Sequence, residues 1–260
     1  MKLPDVPWKL FFLLLIFSIT GFFSVLPYSF ALQAPLMQKL PVSLPLLIFL
    51  QMIQNAVLFA IVIFFGLLLA PKTGLGFKFL THYLAQHRIS EKIQPILMTS
   101  VIAGIIAGMI IMALDIYLFK PWIYSSMGES ADKLYAQGVR PEAWKGFLAS
   151  FYGGFNEEIL LRFFLLSLFA WIGQKIAGKE NTTTAIFWSA NILAAVIFGL
   201  GHLPATSALV ELTVPVVARA VALNGAGGII FGWLYWKKGL ESAMLAHFSA
   251  DIVLHVIFAV

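Results

Sequence analysis

The run Leu44–Ala70, LPLLIFLQMIQNAVLFAIVIFFGLLLA, contains no charged residue. A helix rising 1.5 Å per residue needs about 20 apolar residues to cross roughly 30 Å of hydrocarbon. A stretch this long and this apolar takes lipid as its solvent, where its backbone groups can be satisfied only within the helix itself. The same reading extends in both directions, to Trp8–Leu32, Ile96–Phe119, Phe155–Ala177, Thr184–Leu203 and Leu240–Val260. Ala208–Trp236 is apolar but interrupted by Glu211, Pro215, Arg219 and the run Asn224-Gly225-Ala226-Gly227-Gly228, so it reads as a broken or re-entrant element. The expected fold is all-α: a polytopic transmembrane helical bundle of seven or eight spans, forming one membrane domain over residues 1–260.

Composition agrees. Apolar residues make up 60% of the chain and charged residues 11%, against about 45–50% and about 25% in soluble domains. The net charge of +5 reads as loop lysine and arginine facing the cytoplasm, since no basic stretch has the length or aromatic interleaving of a nucleic-acid site. With no cysteine, thiolate nucleophiles, disulfides and cysteine-based zinc sites are excluded. Lys2 and Lys9 ahead of an apolar run resemble a signal peptide, but the apolar character continues to Leu32 with no clear cleavage site, so a retained first span is expected. Alternation over seven spans groups Lys2, Lys9, the 71–95 loop (Lys72, Lys78, His82, His87, Arg88, Glu91, Lys92), Lys175, Lys179, Lys237 and Lys238 on one side, cytoplasmic by the positive-inside rule. The polar segment Lys120–Lys145, with Gly128, Gly138 and Pro141, reads as a loop. A short surface helix Lys145–Tyr152 follows, ended by Gly153-Gly154, with Asn156 as N-cap of the fourth span.

An ionisable group inside hydrocarbon costs at least about 2.5–3.5 kcal/mol, so such groups persist where they are paired, wetted or functional. Here they gather late: Glu157, Glu158, Arg162, His202, Glu211, Arg219, His247, Asp251 and His255, against Asp115 alone in the first three spans. On a helix Glu158 and Arg162 lie about 40° apart and can pair, whereas Glu157 lies about 140° from Arg162 and is left free to act on water. A charged cap at the membrane edge is the plainer alternative for this trio. Phe198 and His202 share a face beside Gly199 and Gly201; His202 alone fits a helix–helix hydrogen bond equally well. His247 and Asp251 are four apart on one face, with His255 one turn further, and suit either an interhelical contact or a site.

Taken together, Glu157-Glu158-x-x-x-Arg162, Phe198-x-x-x-His202 and His247-x-x-x-Asp251 resemble the CPBP family of type II CAAX prenyl endopeptidases and bacteriocin-processing or abortive-infection proteins. The resemblance covers about residues 145–255. Phe163 stands where a glycine is frequent, and Asp251 where many members have asparagine. The resemblance implies an intramembrane endopeptidase that hydrolyses a membrane-associated or CAAX-like peptide or protein in the cell membrane, with residues 1–120 as scaffold spans and 145–260 as catalytic spans. It assigns Glu157 and His202 to water activation, His247 and Asp251 to oxyanion stabilisation or metal contact, and Glu158 and Arg162 to orienting the site. The family is often named metalloprotease, and a metal-free glutamate mechanism is also proposed for it. The reading preferred here needs no cofactor, with a divalent metal such as zinc as the alternative. The other functional readings are a non-catalytic immunity or chaperone-like membrane protein and a proton-coupled transporter. One geometric tension stands: with a single crossing by Ala208–Trp236, His247 starts from the membrane face opposite Glu157 and His202, leaving about 15 Å between them along the membrane normal. A re-entrant segment or strong tilt would close that gap.

Overall fold

The computed structural model describes residues 6–33, 42–86, 93–135 and 141–258. Lys2, His87, Arg88, Glu91, Lys92 and Gly138 lie outside the described residues, as does the side chain of His82. Among the described residues, seven helical segments are long and apolar enough to cross a membrane: α1 (Trp8–Leu32), α2 (Leu44–Thr73), α3 (Gln94–Tyr135), α4 (Ala143–Ile176), α5 (Thr184–Ser207), α6 (Val214–Lys238) and α7 (Leu240–Ile257). No strand occurs among the described residues. The chain is a polytopic, all-α integral membrane protein. Large apolar side chains such as Phe49, Val57, Ile61, Met109 and Ile192 point outward, away from the protein interior. Lipid accepts such a surface, whereas water would penalise it.

Three segments differ from the sequence reading, the third being Lys120–Tyr135, which is helical and continuous with α3 instead of a loop. The first is α4, where Gly153-Gly154 ends nothing: the helix runs from Ala143 through both glycines to Ile176. Asn156 is accordingly no cap. It is fully buried inside the helix and donates from Nδ2 to the Ser18 carbonyl of α1, 3.0 Å away. The second is α6, which is one uninterrupted helix rather than a broken or re-entrant element. Its glycines act as packing surface. A Cβ on Gly228 would sit 2.8 Å from Ala195 Cβ, one on Gly232 would collide with the Asn191 side chain, and Gly199 of α5 lies equally close to Val221. Without side chains there, the two backbones approach closely, the usual basis of helix association in lipid. Gly104 and Gly108 do the same for α3 against Ala246 and Val253 of α7.

The connections α2–α3, α4–α5 and α6–α7 meet at one end of the bundle and are stitched together there. Glu241 accepts from the backbone amides of Lys78, Phe79 and Leu80, Leu240 N–H donates to the Gly76 carbonyl, Gln174 donates to the Lys72 carbonyl, and Thr182 donates to the Thr73 carbonyl. At the other end α1, α4 and α7 meet. Gly146 lies against the His255 carbonyl, and Tyr28 OH is 3.3 Å from His255 Nδ1. Counted from that shared level, Glu157 lies about eleven residues down α4 and His247 about eight residues down α7, or roughly 16 and 12 Å. The tension in the sequence reading arose from starting the fourth span at Phe155 instead of Ala143.

If the α5–α6 seam is set by these glycines, Gly232→Val should destabilise the purified protein by about 1–3 kcal/mol. The drop would be read as a lowered unfolding midpoint in detergent, and an unchanged midpoint would contradict the close approach.

Candidate active site

Glu158 sits at the centre of the polar cluster and is completely buried. Its Oε1 receives the guanidinium of Arg162 at 2.9 Å, one turn along α4, and Nδ1 of His247 from α7 at 2.7 Å. A carboxylate only accepts, so His247 Nδ1 carries a proton and the ring's orientation is fixed from behind. The buried Arg162 guanidinium lies 5.0 Å from the ring centroid of Phe198 and 5.5 Å from that of Phe231. Its Nη2 and Glu158 Oε2 have no hydrogen-bond partner among the described residues, so the two aromatic faces are what cover the charge. Phe231 also stacks on the His247 ring, at 4.7 Å between centroids and 22° between planes.

Glu157, the neighbouring carboxylate, points the other way and keeps 21% of its side chain exposed. Its oxygens lie 3.5 Å from His247 Nε2 and 3.9 Å from His202 Nε2. His202 is held by its own Nδ1, 2.9 Å from the Phe198 carbonyl one turn back on α5. That carbonyl can only accept, so Nδ1 is the donor and the neutral ring presents a lone pair at Nε2. Asp251 completes the ring of groups, 3.7 Å from His247 Nε2 and 4.0 Å from His255 Nε2. All four chemical groups, Glu157, His202, His247 and Asp251, line one cavity of about 620 Å³. The six residues singled out from sequence are therefore gathered at one place, Glu158 and Arg162 behind the cavity wall and the other four on it.

Several contributors carried no sequence signal of their own. Gly153 read as a helix breaker, yet its function is close approach: a Cβ there would collide with the Asp251 carboxylate and lie 3.1 Å from His247 Nε2. Phe231 belongs to none of the three motifs. The backbone from Gly153 to Glu157 and from Ile159 to Leu166 is wound as π-helix, as are Asp115–Phe119 and Val253–Ile257. These widened turns re-aim side chains and recur at functional sites. Phe163, in the position where glycine is frequent in the family, fits because Gly66 of α2 makes room; a Cβ on Gly66 would sit 2.5 Å from its ring. Asp115, read as scaffold, forms a bidentate pair with Arg219 at 2.7 and 2.6 Å, accepts from Tyr135 OH at 2.9 Å, and lines the same cavity.

A divalent ion such as zinc is the one cofactor the resemblance raises. Its donors would come from Nε2 of His202 and His247 and from the Glu157 and Asp251 carboxylates; Glu157 lies 3.9 Å from His202 Nε2 and 3.5 Å from His247 Nε2, and Asp251 3.7 Å from His247 Nε2. Among the described residues no three histidine, aspartate or glutamate side chains form a group able to hold an ion.

Removing one partner of a buried ion pair leaves the other uncompensated and costs about 3–5 kcal/mol. Glu158→Leu should therefore lower folding stability by that amount, while Glu157→Gln, at a half-wetted position, should change it by less than about 1 kcal/mol. Unfolding of both variants in detergent checks the contrast, and equal losses would contradict the division between them.

Neither the curated proteins nor the solved structures contain a match to the chain. Residues 139–253, which span α4, α5, α6 and most of α7, match the family model described as type II CAAX prenyl endopeptidase Rce1-like. The three motifs at the cavity all fall inside that match, which supports membership of the CPBP family.

Proposed function

We propose that the protein is an intramembrane endopeptidase that hydrolyses a peptide bond of a membrane-associated substrate in the cell membrane, with Glu157 as general base. The observation that carries this reading is the convergence of Glu157 with the Nε2 atoms of His202 and His247 on one cavity, each imidazole being tied down through its other nitrogen. A water between Glu157 and His202 donates one hydrogen to the carboxylate and the other to the His202 lone pair, which aims its oxygen into the cavity. Glu157 takes the first proton as the water oxygen bonds to the scissile carbonyl carbon and the carbonyl electron pair moves onto its oxygen. His247, donating through Nε2, stabilises that oxyanion. When the tetrahedral species collapses, the carbon–nitrogen bond breaks and the proton held by Glu157 passes to the leaving amine. Asp251 lies 3.7 Å from the same His247 Nε2 on the cavity side, and Glu158 with Arg162 positions the ring from its Nδ1 side.

General acid–base groups contribute about 10²–10⁴-fold in rate. In proteoliposomes carrying the purified protein and a fluorogenic membrane peptide, Glu157→Gln should reduce turnover by at least about 10²-fold with folding retained. Full turnover in that variant would remove Glu157 from the mechanism. In the same assay a chelator should leave turnover unchanged, and a loss restored by added zinc would put an ion among these residues.

A further inference from the structure

The two ends of the bundle differ in both charge and closure. The stitched end carries Lys72, Lys78, Lys175, Lys179, Lys237 and Lys238, against Glu180 and Glu241 among the described residues. The opposite end carries Lys120, Lys133 and Lys145, offset by Glu129, Asp132, Glu142 and Glu211. Lysine and arginine in short connections are retained on the cytoplasmic side, so the stitched end is the cytoplasmic one.

That end is also sealed. Leu67, Ala70, Leu75, Phe187, Leu234 and Leu240 are buried together in the main hydrophobic core beneath the connections. The Glu241 carboxylate, capping the amides at 78–80, and the Lys78 ammonium, 3.3 Å from the Lys237 carbonyl, tie the connections over it. The cavity lies in the other half. Its wall is made by the late residues of α1 (Val25, Tyr28, Leu32), the early residues of α4 (Ala149, Tyr152), the early residues of α6 (Arg219, Leu223) and the late residues of α7 (Leu254, His255). Every one of these helix halves belongs to the end with few basic residues.

We propose that the cavity opens away from the cytoplasm, and that its substrate is a peptide segment presented on the extracytoplasmic side of the membrane, such as a secreted or surface-exposed stretch of a membrane-anchored chain. This rests on the peptidase reading for the word substrate, while the direction of opening stands without it. An isoprenylated C-terminus held in the cytoplasmic leaflet would meet the sealed, basic end and have no path to Glu157.

The chain has no cysteine, so single cysteines report accessibility without background. Ser130→Cys marks the open end, Ala149→Cys the cavity wall and Asn181→Cys the stitched end. Intact cells are treated with a charged, membrane-impermeant maleimide, then compared with permeabilised cells. The expected result is labelling of Ser130→Cys and Ala149→Cys in intact cells, with Asn181→Cys reacting at least tenfold faster after permeabilisation than before. Labelling of Asn181→Cys in intact cells, equal labelling of both ends, or an Ala149→Cys that stays unlabelled there would overturn the proposal. Because no cleavage is read, a protein that labels as expected but hydrolyses nothing would fail only the peptidase reading. One that cleaves but labels in reverse would fail only this one.

Discussion

A carboxylate with no exposed surface, inside a bundle whose outer solvent is lipid, is the constraint around which this protein is arranged. An isolated ionised group in such a place would be neutralised or expelled. Glu158 is retained because a single oxygen serves two partners from two helices, the Arg162 guanidinium of its own α4 and the His247 imidazole of α7. Arg162 in turn is kept in place by the faces of Phe198 on α5 and Phe231 on α6. One buried anion thus fixes the relation of four spans. The arrangement leaves Glu157, one residue earlier and aimed elsewhere, as the carboxylate that faces the cavity.

Close approach makes that arrangement reachable. Gly153 lets His247 and Asp251 come up to the α4 backbone, and Gly199, Gly228 and Gly232 draw α5 and α6 together behind Arg162. In lipid there is no hydrophobic gain from joining two apolar helices, so packing of small residues carries that association. The π-wound turns belong to the same design. Each lies where a span borders the cavity or carries the residues behind it, and the wider turn directs side chains that a regular helix would leave pointing at neighbours or lipid.

Much of this was legible in the sequence because lipid makes the hydropathy signal strong. The bounds of α1, the start and most of the length of α2, and the pairing of Glu158 with Arg162 follow from run length and from four-residue spacing. What sequence could not distinguish was the purpose of glycine. Gly153-Gly154 and the run Asn224–Gly228 carry the composition of breakers, and local propensity reads them so. In the folded chain they are contacts with His247, Asp251 and Ala195, which are distant in sequence. Misreading Gly153-Gly154 shortened α4 by twelve residues and displaced Glu157 to the membrane edge. Phe231 was silent and Asn156 was misread as a cap for a similar reason: the importance of each lies in a partner on another helix, His247 and Ser18 respectively.

The central claim is that Glu158 and His247 act as one unit. A double-mutant cycle on folding free energy, using Glu158→Gln, His247→Gln and the pair, tests it most directly. Contacting residues couple by about 0.5–3 kcal/mol, whereas independent sites add to within about 0.5 kcal/mol. The account predicts coupling of at least about 1 kcal/mol, with the double variant much less destabilised than the sum of the singles. Simple additivity would mean that the buried carboxylate does not hold the imidazole, and that the cavity is organised by something else.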